Sequence, residues 1–142
     1  MSQSEIIKRL LINYEIETFK MILIGCQRLE SIKVRVGGQY LNENELLEMV
    51  VNHSPKNFYE LRLCYAYGIR SEIFPDELES FLISWTNRIP QKSLSFIIIE
   101  YTVDNFKVRK GNIEVIEKYI KLGVIKTFRI LDRYGESAYI FS

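Results

Sequence analysis

Four times in this chain a short run sets apolar residues at alternate positions: Ile32 and Val34 in LESIKV, Leu61 and Leu63 in FYELRL, Leu94 and Phe96 in KSLSF, Phe128 and Ile130 in IKTFRI. Successive runs are 29, 33 and 34 residues apart. A two-residue period belongs to a β-strand with one buried face, and its return at a nearly constant interval marks a repeated supersecondary unit. Leu29, Phe58 and Ile125 add an apolar residue three positions ahead in three of the copies, whereas the third copy has Gln91 there.

Helical patterns fill the intervals. Asn42 followed by Glu45 resembles a capping box, and Leu46, Leu47, Val50 and Val51 then share one side, which predicts a helix over 43–53. Pro75 and Asp76 suit a first turn, after which Leu78, Phe81, Leu82, Trp85 and Ile89 follow a helical stripe until Pro90. This spacing makes Trp85 a core residue. Asn112 is the expected cap of a third helix, carrying Ile113, Ile116 and Ile120 on one face and ending before Gly123. His53 falls at the end of the first of these helices, where a cation suits the helix dipole.

Strands alternating with helices imply right-handed crossovers and a parallel sheet. In a doubly wound sheet both faces are covered and strands read as continuous apolar runs. A leucine-rich-repeat-like solenoid instead has its parallel sheet on one side and its helices on the other, so its strands alternate. Lys33, Arg35, Arg62 and Arg129 interrupt three of the four strands at every second place; only LSFIIIE looks buried on both faces. The expectation is therefore an α/β leucine-rich-repeat-like solenoid of about three to four units in a single domain over 1–142, with a helical segment at 1–14 and a tail at 132–142 that turns at Tyr134 to Ser137. A small doubly wound α/β domain with a ligand site at the strand ends is the alternative.

Composition narrows the partners. Nineteen Lys and Arg stand against 18 Asp and Glu, so no global field recruits nucleic acid or an anionic membrane. The opening MSQSEIIKRLLINYE lacks the apolar core of a secretion signal, and runs such as FIII are too short to cross a bilayer. An intracellular setting, cytoplasm or nucleus, is expected. Cys26 and Cys64, with one histidine in the chain, fall short of the four ligands of a structural zinc site, which leaves two reduced, packed thiols. No glycine-rich phosphate loop follows Gly37 and Gly38, and His53 has no nucleophile near it in sequence. The acidic residues of NENELLE and DELES fall on helix faces or first turns. No catalytic residue, metal or cofactor is assigned.

From about Glu15 to Ile130, the phrases FKMILIGCQRLESIKV, GGQYLNENELLEMV, SPKNFYELRL, DELESFLISWTNRIPQKSLSFIII and IEVIEKYIKLGVIKTF resemble the C-terminal repeats of fungal F-box and leucine-rich-repeat-like proteins. The resemblance implies the target-binding half of a ubiquitin-ligase substrate receptor, with protein–protein interaction as its role. Residues 1–14 are too short for the F-box that docks such receptors onto the ligase.

If the units stack in register, Lys33, Arg62, Ser95 and Arg129 line up on neighbouring strands about 4.8 Å apart. Each adjacent cation pair then repels by somewhat under ~1 kcal/mol in water. The functional reading of that row, with Arg35, is a stripe that receives an acidic segment of a protein partner; the plainer one is a solvated face with Glu30 and Glu60 as counterions. Tyr67 and Tyr101, near the strand exits, suit an interface, whereas Tyr65 continues the inward parity of Leu61 and Leu63. The sheet edge at 29–36 is expected to be open and to pair with another chain or an N-terminal extension.

Overall fold

The computed structural model describes residues 11–12, 16–88, 92–101, 111–132, 134 and 137–141. In chain order the elements are β1 (Leu11–Ile12), α1 (Ile16–Gly25), β2 (Ser31–Val36), α2 (Glu43–His53), β3 (Glu60–Tyr65), α3 (Pro75–Thr86), β4 (Leu94–Ile99), α4 (Asn112–Lys121), β5 (Ile125–Leu131) and β6 (Ser137–Phe141). This is an α/β fold. All six strands form one sheet in the order β1-β2-β3-β4-β5-β6. The first five are parallel, and β6 returns antiparallel to β5.

The order never reverses, so the sheet has no switch point of the doubly wound kind. Each step from β2 to β5 moves one strand over in the same lateral direction, with one helix between the strands among the described residues. Successive helices touch in chain order, α1 with α2, α2 with α3 and α3 with α4, as crossovers of one hand and one direction would arrange them.

Local sequence explains the elements. Asn42 caps α2 by accepting the Glu45 N–H at 3.1 Å, and α2 runs over the 43–53 that its spacing predicts. Pro75 opens α3, and the Glu77 carboxylate reaches back to accept the Phe74 N–H at 3.0 Å. Gly123, at φ +77°, follows the end of α4 and donates to the Ile120 carbonyl. Asn112 departs from expectation. It is the first residue of α4 rather than its cap, which is Gly111, and its buried side chain donates to the Ile73 carbonyl at 3.1 Å.

Under the helices lie two in-register rows, Ile32–Leu61–Phe96–Phe128 and Val34–Leu63–Ile98–Ile130, all buried. Phe96 meets Phe128 edge-on at 6.0 Å and Phe81 at 6.3 Å, and Phe81 and Phe58 both pack on Trp85. Such pairs contribute about 0.5–1.5 kcal/mol each beyond the area they bury. Trp85 is core, as its spacing implies, and its ring N–H donates to the Lys92 carbonyl.

This register corrects the alignment of the third unit. Leu61 pairs with Phe96, not Leu94, so the equivalent residues are 29, 35 and 32 apart. The segment between β3 and β4 is longer than alternation alone reveals, and a two-residue slip preserves strand parity, so the apolar pattern could not detect it.

Two further expectations change. Leu11 and Ile12 pair with Lys33 and Val34, so residues 11–12 are strand rather than helix, and the β2 edge is met for two residues by the chain itself. Residues 1–10 lie outside the described residues, as do Gln91 and the Ile89–Pro90 stop. The tail forms β6, although part of the expected turn, residues 135–136, is likewise outside them.

Candidate interaction surface

The sheet face opposite the buried rows carries three rows of its own. Ser31, Glu60, Ser95 and Thr127 form the first; Lys33, Arg62, Ile97 and Arg129 the second; Arg35, Cys64, Ile99 and Leu131 the third. Ile97 therefore occupies the place that sequence alignment gave to Ser95. The basic row is interrupted: Lys33 and Arg62 are direct neighbours, but Arg129 lies two strands beyond Arg62, roughly 10 Å away across the sheet.

Nor is this face uniformly wet. Lys33, Arg35, Arg62, Cys64 and Arg129 are half-buried, while Ile97 is 2% and Ser95 9% exposed. Arg62 and Arg129 flank Ile97 in register, and long cationic side chains lay their methylene stems over apolar neighbours while the charge stays in water. β4 is thus the dry centre of the face and β2–β3 its polar side.

The counterion expected at Glu60 is in place. Arg62 Nε donates to Glu60 Oε2 at 3.1 Å, and the Ser31 hydroxyl donates to the same oxygen at 2.5 Å. Glu30 is exposed. Lys33 and Arg35 have no ion pair among the described residues; Arg35 instead donates to the Tyr40 hydroxyl at 3.3 Å and sits over its ring. The charges of both cations are felt at Cys64. Burial holds that thiol above its ordinary value, against the opposing pull of the two positive charges. Cys26 and Cys64 are both free thiols.

At the C-terminal ends of β3 and β4 the chain brings Tyr67 and Tyr101 together, rings 5.9 Å apart and nearly perpendicular. They are 79% and 44% exposed. Tyr65, two residues before Tyr67, is buried as its parity implies. Of the sequence candidates, Lys33, Arg35 and Arg62 thus form one patch, Tyr67 and Tyr101 a second, and Arg129 stands apart on β5.

Below the tyrosines lies a site that sequence reasoning missed. Glu43, at the start of α2, is buried and accepts the Tyr65 hydroxyl at 2.5 Å, the Ser71 hydroxyl at 2.8 Å and the Glu72 N–H at 2.8 Å. Burial raises its carboxyl above the ordinary range, against the opposing pull of those hydrogen bonds. The Tyr65 phenol is raised well above its own range by burial and then by the Glu43 charge. Next to this network a cavity of about 470 Å³ is lined by Gly37, Gly38, Glu43, Arg70 and Phe74, among others. The signal was present in the sequence, because Glu43 falls on the helical stripe of Leu46, Leu47 and Val50.

Among the described residues, no group of three or more His, Cys, Asp and Glu is placed to hold a metal ion, and no helix is long and apolar enough to cross a membrane. No family model, curated protein or solved structure matches the chain.

Proposed function

We propose that this chain is a leucine-rich-repeat-like solenoid acting as a non-catalytic protein-interaction module, whose open sheet face receives an acidic segment of a partner. The observation that carries this is the patch of Lys33 and Arg35, two half-exposed cations without an acidic partner among the described residues, on the sheet face away from the helices. Tyr67 and Tyr101 add a second patch at the strand exits, of the residue type that gives large contact at low entropic cost. Strictly sequential strands with helices stacked in the same order support the solenoid assignment. The sequence resemblance to F-box receptor repeats supports reading the module as one for ubiquitin-ligase substrate recognition, inside the cell.

The test is a pull-down from a cell extract in which K33E/R35E and Y67A/Y101A are compared with wild type. Proteins held by the wild type and lost from both variants are the expected result, with acidic segments common among them. An identical set of captured proteins for all three would overturn the assignment of this face.

A second reading is favoured by the cavity beside Glu43: a small ligand bound at the C-terminal ends of β2 and β3. Thermal-shift screening separates the two, because a ligand there stabilises wild type and K33E equally.

A further inference from the structure

Two carboxyl groups are buried among the described residues, Glu43 at the start of α2 and Glu100 just past β4, and the Tyr65 phenol lies in the field of both. Glu43 has no ion-pair partner among the described residues. Its contacts are two hydroxyls on Oε2, from Tyr65 and Ser71, and the Glu72 N–H on Oε1. A hydroxyl can accept as well as donate. If Oε2 takes up a proton, Ser71 or Tyr65 can turn to accept it while Oε1 keeps the Glu72 N–H. All three contacts thus survive protonation, and what disappears is a buried negative charge that no cation offsets. Of the other groups about it, Glu72 repels the ionised form. Arg70 is exposed, Tyr40 is engaged by Arg35, and Glu77 of α3 is engaged by the Phe74 N–H and the Asn44 amide; all three line the adjoining cavity.

Two of the three groups that Glu43 holds belong to residues 66–74, which join β3 to α3. That segment begins with a turn, closed by the Ile69 N–H on the Ala66 carbonyl, that carries Tyr67 out to Tyr101. Ile69 packs against the glycine turn after β2, where a Cβ on Gly37 or Gly38 would stand 2.7 Å from it. At the far end Asn112 of α4 holds the Ile73 carbonyl. Glu43 is therefore a polar anchor between the exposed tyrosines and the start of α3.

We infer that Glu43 is a proton-operated latch that positions the Tyr67–Tyr101 pair: the neutral carboxyl holds residues 66–74 against α2, and ionisation favours their release, which lets water reach the charge. Burial already holds this carboxyl above its ordinary range, with Glu72 adding to the rise. A raised carboxyl favours the closed, protonated form at low pH, and closure weakens as pH climbs from the ordinary range through the raised value. That the tyrosines so positioned bind a partner rests on the interaction reading above; the latch itself does not.

The experiment follows the full chain by amide hydrogen exchange across a pH series, each rate divided by the intrinsic rate at that pH, beside NMR of the Glu43 side-chain carboxyl. Protection over 66–74 is expected to lie below that of β3 and β4 throughout. It should fall as pH rises and level off where the Glu43 carboxyl has ionised, by about tenfold for each unit by which that carboxyl stands above its ordinary value. E43Q, whose amide can donate to a hydroxyl and accept the Glu72 N–H, should hold protection level. E72Q removes the neighbouring like charge, so it should keep the fall but end it at lower pH. A fall that E43Q shares, or one that does not end with the carboxyl titration, overturns the latch. So does protection equal to that of β3 and β4, because the segment would then open only with the whole fold. If E43Q does not fold, the agreement or disagreement of the two wild-type titrations decides. Repeating the pull-down at both ends of the series tests the interaction reading separately: proteins captured alike by wild type and E43Q at both, with the exchange result as expected, would remove the tyrosines as a binding patch and leave the latch standing.

Discussion

Glu43 interrupts the apolar stripe of α2, and the fold answers with three donors: Tyr65, Ser71 and the Glu72 N–H. Removing the acceptor strands them, so Glu43→Ala is expected to cost about 2–4 kcal/mol in chemical denaturation. The pH dependence follows from the direction of its shift. A carboxyl raised on folding binds its proton more tightly in the native chain, so its favourable contribution is present at low pH and is lost as pH rises from the ordinary carboxylate range through the raised value. Glu43→Gln, which does not titrate, should flatten that limb of the stability curve above the ordinary carboxylate range; an unchanged slope would show that another group is responsible. Gly37 is a separate constraint. Its φ is +83°, and an added Cβ would stand 2.7 Å from Ile69 Cγ2. Gly37→Ala should therefore lower the melting temperature, with a cost of about 1–3 kcal/mol, and a second change, Ile69→Ala, should recover the steric part but not the backbone part.

Among the elements, α2 owes its start to a cap that sequence reading located, and Asn42→Ala should cost about 1 kcal/mol. Asn112 had the same apparent role before α4. A short polar residue ahead of an apolar stripe looks alike whether its side chain turns onto its own helix or, as here, reaches the Ile73 carbonyl of another segment. The β2–β3 pair yields a prediction of unusual sign for a surface change. Lys33 is directly opposite Arg62 and two residues from Arg35, so Lys33→Glu replaces repulsion with attraction. It should stabilise the chain by a few tenths of a kcal/mol at low ionic strength, an effect that fades with added salt. Destabilisation would show that Lys33 has an acidic partner in the native chain.

For the whole molecule, the sequential sheet sets a gradient of protection. β3 and β4 have strand neighbours on both sides and helices over one face, whereas β1 offers two residues at one edge. Hydrogen exchange should therefore be slowest in β3 and β4 and fastest at β1. Equal rates across the sheet would mean that opening is global. The same layering separates charge, with cations on the sheet and carboxylates on α2 and α3. A total near neutrality, as read from composition, hides this division because it has no spatial content.

The sequence by itself determined the alternation of strands and helices, the bounds of α2, the burial of Trp85 and Tyr65, and which strand residues face the core. Each is a local or periodic property, set by side-chain spacing along one element. Tertiary structure alone decided the register of β4, since a slip of two residues keeps every apolar side chain on its own face. It likewise decided that Ile97 breaks the basic row and that Glu43 meets Tyr65 and Ser71. Those outcomes depend on the lengths of connections and on contacts between residues far apart in the chain, which no periodicity records.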